Sequence, residues 1–374
     1  MNLLFIHADD GSLMRSLPRI HFLNELERAK HIISVFNPLH YEDISIANEE
    51  LIKHIKGNPS KFDLIVCLNG DETVYVETIK QINKEGIPSL LICFDNLQVP
   101  YMHKEISPFF DLVWLTSFET MHMFQKWGCN CIFLPYAANP YAFKPSFNKE
   151  ICSIGFIGSP YGTRIHKINK LLTSDIKCNI YSSKITSEST TINDQKIVRK
   201  SLFVKLSEMD YKLLRFPIGR KILLSKLKVK FSSQPRTLTS SPYLKIFPSV
   251  SFDEMNSLYS NFALSLGITE LWDTYILKHP IHKLHMRTFE IPMCGGLQFA
   301  PYIEELSDYF TDGKEIVLYK DEEEYIDKAK YYLKDDMNDL RLKMKMSARE
   351  RAEKEHTWLN RFNKIFDLLK LNQT

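Results

Sequence analysis

Along the first 145 residues, short apolar runs alternate with amphipathic stretches, which is the pattern of an α/β fold whose parallel sheet is covered on both faces. Runs at 3–6, 32–36, 64–68, 89–94 and 112–116 predict strands. Stretches at 16–30 and 74–85 carry apolar residues at helical spacing. A helix over 119–127, with Ser117 as its expected N-cap, leads to a sixth strand at 132–136.

After a linker at 137–150, rich in Asn, Pro and Phe, the alternation restarts with a strand at 152–157, a glycine-containing turn at 158–162 and a helix at 164–172. The restart predicts a second Rossmann-like half, and Brändén's rule places ligands outside the carboxyl ends of such strands. Further on, helices at 253–260 and 286–293 and strands at 262–266, 297–300 and 315–319 continue the pattern. Asp321 and Glu324 predict a capping box. In the last helix Trp358, Phe362, Ile365 and Leu369 share one apolar face.

Charge changes this picture in one place. The net charge is only +3, yet 183–250 holds fourteen Lys/Arg against four Asp/Glu. Val198, Leu202, Leu206, Met209 and Leu213 recur there at helical spacing, 216–219 breaks the run, and 222–231 continues it. We read the segment as a basic helical insert in the second half. Its interleaved apolar and cationic residues suit peripheral contact with an anionic membrane, and equally a solvated insert packed on its own domain. Nucleic acid is not expected, because aromatic residues are not interleaved with the charges.

Seven cysteines, an odd number with several inside apolar runs, read as reduced core residues. Cys129 and Cys131 lack a second pair at ligand spacing, so no metal site is expected. No stretch has the apolar length of a membrane span, and 1–6 runs into a polar loop, so a cytoplasmic chain is expected, with the inner membrane face as a peripheral address.

Two constellations carry candidate chemistry. Gly155, Gly158 and Gly162 lie between a strand and a helix, where backbone amides and the helix dipole can hold phosphate. Arg164 in the first helical turn fits there if an anion intervenes, and a tight turn with a solvated arginine is the plainer alternative. In the run from Arg287 through Glu290 to Gly295 and Gly296, a carboxylate at 290 can accept ribose hydroxyls. Arg287, three residues earlier, can neutralise a departing diphosphate. The pair also suits an ordinary surface ion pair. Asp10 and Asp95 each follow a strand of the first half and could deprotonate an acceptor hydroxyl, or simply serve local turns. No nucleophile elbow, Walker loop or zinc-peptidase motif is present.

The stretch from Ser117 through Trp127 to Pro135, Asn139, Pro140 and Pro145 resembles the domain junction of GT-B glycosyltransferases. Together with the Gly155–Ser159 turn, Arg287 and Glu290 through Gly296, Asp312 to Glu315, and His356 with Arg361, it makes the chain similar to the CgeB-like family, related to family 4 retaining enzymes. That resemblance implies two Rossmann-like domains facing a cleft: an acceptor domain over 1–145, a nucleotide-sugar domain over 146–355, and a C-terminal helix over 356–374 crossing back. It implies a hexosyltransferase, of the kind used in polysaccharide biosynthesis, moving sugar from a UDP- or GDP-linked donor to a glycan, lipid-linked or protein acceptor. Retention without metal or cofactor is expected, and Asp10 or Asp95 would serve an inverting reaction. Donor contacts would fall on Gly158, Ser159, Arg164, Arg287, Thr288, Glu290 and Gly295. In family 4, two glutamates separated by seven residues meet sugar and ribose; Glu290 occupies the second position and His282 the first. The alternatives are an epimerase or phosphorylase of the same fold, or a binding module without catalysis.

Overall fold

The computed structural model describes residues 1–57, 62–68, 70, 73–183 and 207–371. The chain forms two units, Met1–Ala142 with His356–Thr374, and Phe143–Glu355.

The first unit is built on β1 (Asn2–Ile6), β2 (Ile32–Phe36), β3 (Leu64–Cys67), β4 (Ser89–Cys93), β5 (Leu112–Leu115) and β6 (Cys131–Phe133), all parallel in the order β2-β1-β3-β4-β5-β6. Every residue of β3, β4 and β5 is buried, which is why these strands read as unbroken apolar runs. Helices α1 (Leu13–Pro18), α2 (Asn24–Arg28), α3 (Ile44–Lys56), α4 (Val76–Ile82) and α5 (Met121–Lys126) connect them. The helix expected at 16–30 starts earlier, because Ser12 Oγ caps the Arg15 amide. It is also interrupted by a π turn at Arg19–Leu23, directly after Pro18, whose missing amide disturbs the regular ladder. Ser117 does not cap as expected: its hydroxyl is buried without a hydrogen-bond partner, and a 3₁₀ turn, Phe118–Thr120, follows it.

The second unit contains β7 (Ile151–Ile157), β8 (Cys178–Tyr181), β9 (Leu244–Phe247), β10 (Phe262–Leu266), β11 (Gln298–Pro301) and β12 (Val317–Tyr319), parallel in the order β12-β11-β10-β7-β8-β9. Counted from β7, this is the Rossmann order 3-2-1-4-5-6, whose connections diverge between β7 and β10. The described helices are α6 (Thr163–Leu172), α7 (Glu208–Leu214), α8 (Pro217–Phe231), α9 (Phe252–Asn261), α10 (Arg287–Met293), α11 (Glu304–Tyr309), α12 (Glu322–Tyr332) and α13 (Asn338–Glu355).

The basic segment is bounded differently from the insert expected over 183–250. Its end, β9, is a strand of the sheet, so the cationic stretch is an enlarged crossover between β8 and β9. Val198, Leu202 and Leu206 lie outside the described residues. Met209 and Leu213 fall in α7, capped reciprocally by Ser207 and Asp210. Pro217 opens α8, and Gly219 lets it approach α7 so closely that a Cβ there would sit 2.1 Å from the Leu213 carbonyl. At α12, Asp321 accepts the Glu324 amide, but Glu324 reaches back to the Lys320 amide, one residue short of a reciprocal box.

The last helix, α14 (Trp358–Leu368), belongs to the first unit. Trp358, Phe362, Ile365 and Phe366 are buried, with Phe366 taking the place expected of Leu369. Trp358 packs against Phe22 and Trp114 and donates to His21 Nδ1 at 3.2 Å.

Candidate functional site

The divergence point of the second sheet is where two arginines meet. Strand β7 ends at Ile157, and Gly158 turns the chain at φ 138°, a conformation that favours glycine. Across the turn, α10 presents Arg287: its Nη2 donates to the Ile157 carbonyl at 2.7 Å and its Nε to the Tyr259 hydroxyl at 3.2 Å. A Cβ on Gly158 would come within 2.9 Å of Arg287 Nη2, so the glycine also makes room for the guanidinium.

Arg164, on the first turn of α6, donates to the Ser159 carbonyl at 2.9 Å and lies over the Tyr161 ring at 4.3 Å. Both guanidiniums approach one buried ring, Phe156, Arg287 at 5.2 Å and Arg164 at 5.6 Å. Among the described residues neither is ion-paired with a carboxylate, Glu290 included. Burial, and next the charge of Arg287, pull Arg164 down to about 10. Burial also acts to lower Arg287, but Tyr259, Glu290 and Tyr161 overcompensate and leave it above its usual value. His285 adds to the group; burial, then Lys283, Arg287 and Arg164, hold it well below its usual value and therefore neutral at pH 7.

The two guanidiniums, half-buried and with no carboxylate ion pair among the described residues, favour an anion, which would relieve both repulsion and desolvation. A guanidinium fork suits the oxygens of a phosphate or diphosphate.

The glycine turn is less open than the sequence suggests. The Gly158 amide donates to the Tyr181 carbonyl at 2.9 Å, and the Thr163 amide, first of α6, donates to the Trp272 carbonyl at 2.8 Å. Charge at this site therefore comes from side chains rather than from those amides.

The remaining expected residues divide. Glu290 lies half-buried on α10, close enough to help raise the Tyr259 hydroxyl, which burial first of all pushes up to about 12. Thr288 is buried, its amide donating to the His285 carbonyl. Gly295 is a helix terminator: at φ 70° its amide reaches the Pro292 carbonyl and the Gly296 amide reaches Ile291, a Schellman motif that leaves the Gly295 amide no ligand to hold.

His282 stands with a different group. Its Nδ1 is 2.9 Å from Thr269 Oγ1, its backbone bridges Glu270, and Glu270 pairs with Lys167 at 3.2 Å. Burial lowers His282, which favours a neutral ring beside that ion pair. Glu270 Oε2 is buried and lacks a hydrogen-bond partner.

In the first unit, Asp10 is exposed and accepts the Ser12 amide at 2.9 Å; bonding to Ser12 holds its carboxyl below the usual range. Asp95, after β4, adopts φ 57°, unusual for a non-glycine, with Tyr136 Oη at 3.4 Å.

Sequence reasoning missed Tyr259, Phe156, Tyr161, His285, Lys167 and Glu270. Tyr259 and Phe156 sit in apolar patterns indistinguishable from core, and no local spacing announces a contact such as Arg287 to Ile157. Among the described residues, no three His, Cys, Asp or Glu side chains gather as metal ligands, and no helix is long and apolar enough to cross a membrane.

Residues 220–367 match a family profile described as glycosyl transferase-like. No curated protein sequence matches the chain. Among solved structures, the chain is similar over 99% of its own length and 99% of the other to Anabaena HepE in complex with UDP and glucose, at 11% identity and a TM-score of 0.56. It is similar to sucrose-phosphate synthase from Thermosynechococcus elongatus over the full length of both chains, at 10% identity and a TM-score of 0.54. An alpha-glucosyltransferase in complex with UDP and a 13-mer DNA containing an HMU base is similar over 99% of both chains, at 12% identity and a TM-score of 0.59. The chain has the GT-B glycosyltransferase fold, with two parallel six-stranded sheets.

Proposed function

We propose that the protein is a glycosyltransferase that takes a hexose from a nucleoside-diphosphate sugar, with UDP the first nucleotide to test and GDP the second. The observation that carries this reading is the Arg164–Arg287 pair, partly desolvated, with no carboxylate ion pair among the described residues and set at the divergence point of a Rossmann sheet. The family profile matched over 220–367 and the neighbours solved with UDP support the same class.

In the reaction, the bond from the sugar C1 to the diphosphate oxygen breaks and the acceptor hydroxyl oxygen bonds to C1 from the same face. The acceptor proton passes to the departing diphosphate, while Arg287 and Arg164 take up its developing charge. Glu290 accepts ribose hydroxyls. Retention is proposed from the resemblance to family 4 enzymes; the alternative is an in-line reaction with Asp10 or Asp95 as base. With two guanidiniums supplying the positive charge, the reaction is proposed to need no metal or cofactor. The acceptor is a glycan, a lipid-linked sugar or a protein.

Incubation with UDP- and GDP-hexoses, with and without an acceptor extract and with and without EDTA, tests the proposal. Acceptor-dependent release of one nucleotide, insensitive to EDTA and lost in Glu290→Ala, is expected. Turnover independent of any acceptor would point to an epimerase, and no turnover despite tight nucleotide binding to a non-catalytic module.

A further inference from the structure

Helix α8 is apolar on two sides, and only one of them faces its own domain. Gly219, Ile222, Leu223 and Val229 are buried, whereas Leu224 is 47% exposed, Leu227 38% and Phe231 60%. At about 100° per residue, Leu227, Arg220, Phe231 and Leu224 fall within roughly 60° of one another, with Lys228 and Lys221 next along the same arc.

The helix contains Arg220, Lys221, Lys226, Lys228 and Lys230 and no acidic residue. Its inward cation Lys226 is satisfied by Asp210 at 2.6 Å. The outward cations Arg220, Lys221 and Lys228 are exposed and have no ion pair among the described residues.

We propose that this face docks the protein on an anionic lipid bilayer, with Leu224, Leu227 and Phe231 entering the boundary between headgroups and acyl chains while Arg220, Lys221 and Lys228 meet the lipid phosphates. The choice of partner follows from charge and polarity together. A second copy set face to face would place cations against cations. Nucleic acid would satisfy the charges but leave two leucines against phosphate, with one aromatic ring available for stacking. An anionic membrane rewards both the apolar centre and its basic flank. The surface is separate from the arginine pair, so the inference stands whether or not the sugar-transfer reading does.

Cosedimentation of the full chain with vesicles of phosphatidylcholine alone, or of phosphatidylcholine and phosphatidylglycerol at about seven to three, tests it. Each cation near an anionic surface contributes roughly a fivefold gain in partitioning, so the anionic vesicles should retain the protein about a hundredfold better. Salt near 1 M, which shortens the screening length to about 3 Å, should release it. Leu224→Asn with Phe231→Asn, and separately Lys221→Gln with Lys228→Gln, should each lower retention at least about tenfold. Melting temperature and UDP-induced stabilisation should stay unchanged in both. Absence of binding to the anionic vesicles, or equal binding by wild type and variants, overturns the proposal. So does a dimer in vesicle-free solution that the same variants dissolve, or a preference for duplex DNA over vesicles.

Discussion

The two sheets place opposite chemistry at equivalent positions. In the first unit the connections diverge between β1 and β3, and the loop leaving β1 carries Asp9, half-buried, and Asp10, exposed, both engaged in short-range turns with Gly11 and Ser12. In the second they diverge between β7 and β10, and there the partly desolvated Arg164 and Arg287 reach carbonyls of the β7 end and its following turn. The topology supplies a crevice in both; the sign and burial of the side chains decide which one attracts an anion. Carboxylates satisfied by their own loop cost little and ask for nothing, whereas two half-buried cations with no carboxylate ion pair among the described residues still favour an anion.

The largest expected effect is on the second unit. Arg287→Ala should lower kcat/KM by about 10²- to 10³-fold, the usual loss when a group opposing developing charge is removed. A loss no greater than that of a surface variant would remove the asymmetry between the crevices.

The next concerns the first unit, where burial pushes Glu25, which accepts the Leu359 amide at the start of α14, up to about 7. A carboxyl raised in the folded state favours folding most at low pH, and that advantage is lost as pH rises from about 4.5 to about 7. Glu25→Gln should therefore gain stability relative to wild type across that window, by about 3 kcal/mol at its upper end. Chemical denaturation at pH 5 and pH 8 measures the difference; parallel pH profiles would show that Glu25 does not titrate as described.

Arg164→Gln should reduce donor affinity by about tenfold, the loss of one charge-assisted contact to the diphosphate. Titration of nucleotide by calorimetry checks it. Asp10→Asn is the smallest: turnover within about twofold of wild type, since an exposed Asx-turn carboxylate contributes little. A large loss there would restore Asp10 as a base and turn the stereochemical proposal to inversion.

Much of this arrangement was legible before coordinates. Strands such as Ile32–Phe36 and Phe262–Leu266 are apolar runs broken by a single serine each, with the expected bounds. Gly158 and Arg287 are both among the expected donor contacts, and they lie against one another. Strands β8 and β9 were not read, because Asn179 and Lys245 interrupt them and β9 sits in the basic stretch at the sheet edge, where a strand need not be apolar on both faces. Gly295 was read for a ligand because a cap and a phosphate turn call for the same residue. Tyr259 could not be read, since its hydroxyl bond to Arg287 spans 28 residues and its periodicity is that of core.

The central claim is that the arginine pair holds a diphosphate. Calorimetric titration of UDP and of uridine into wild type and into Arg164→Gln with Arg287→Gln tests it most directly. UDP should bind wild type at least about a hundredfold tighter than uridine, and the double variant should erase most of that gap while keeping its circular dichroism. A gap that survives in the double variant would contradict the account.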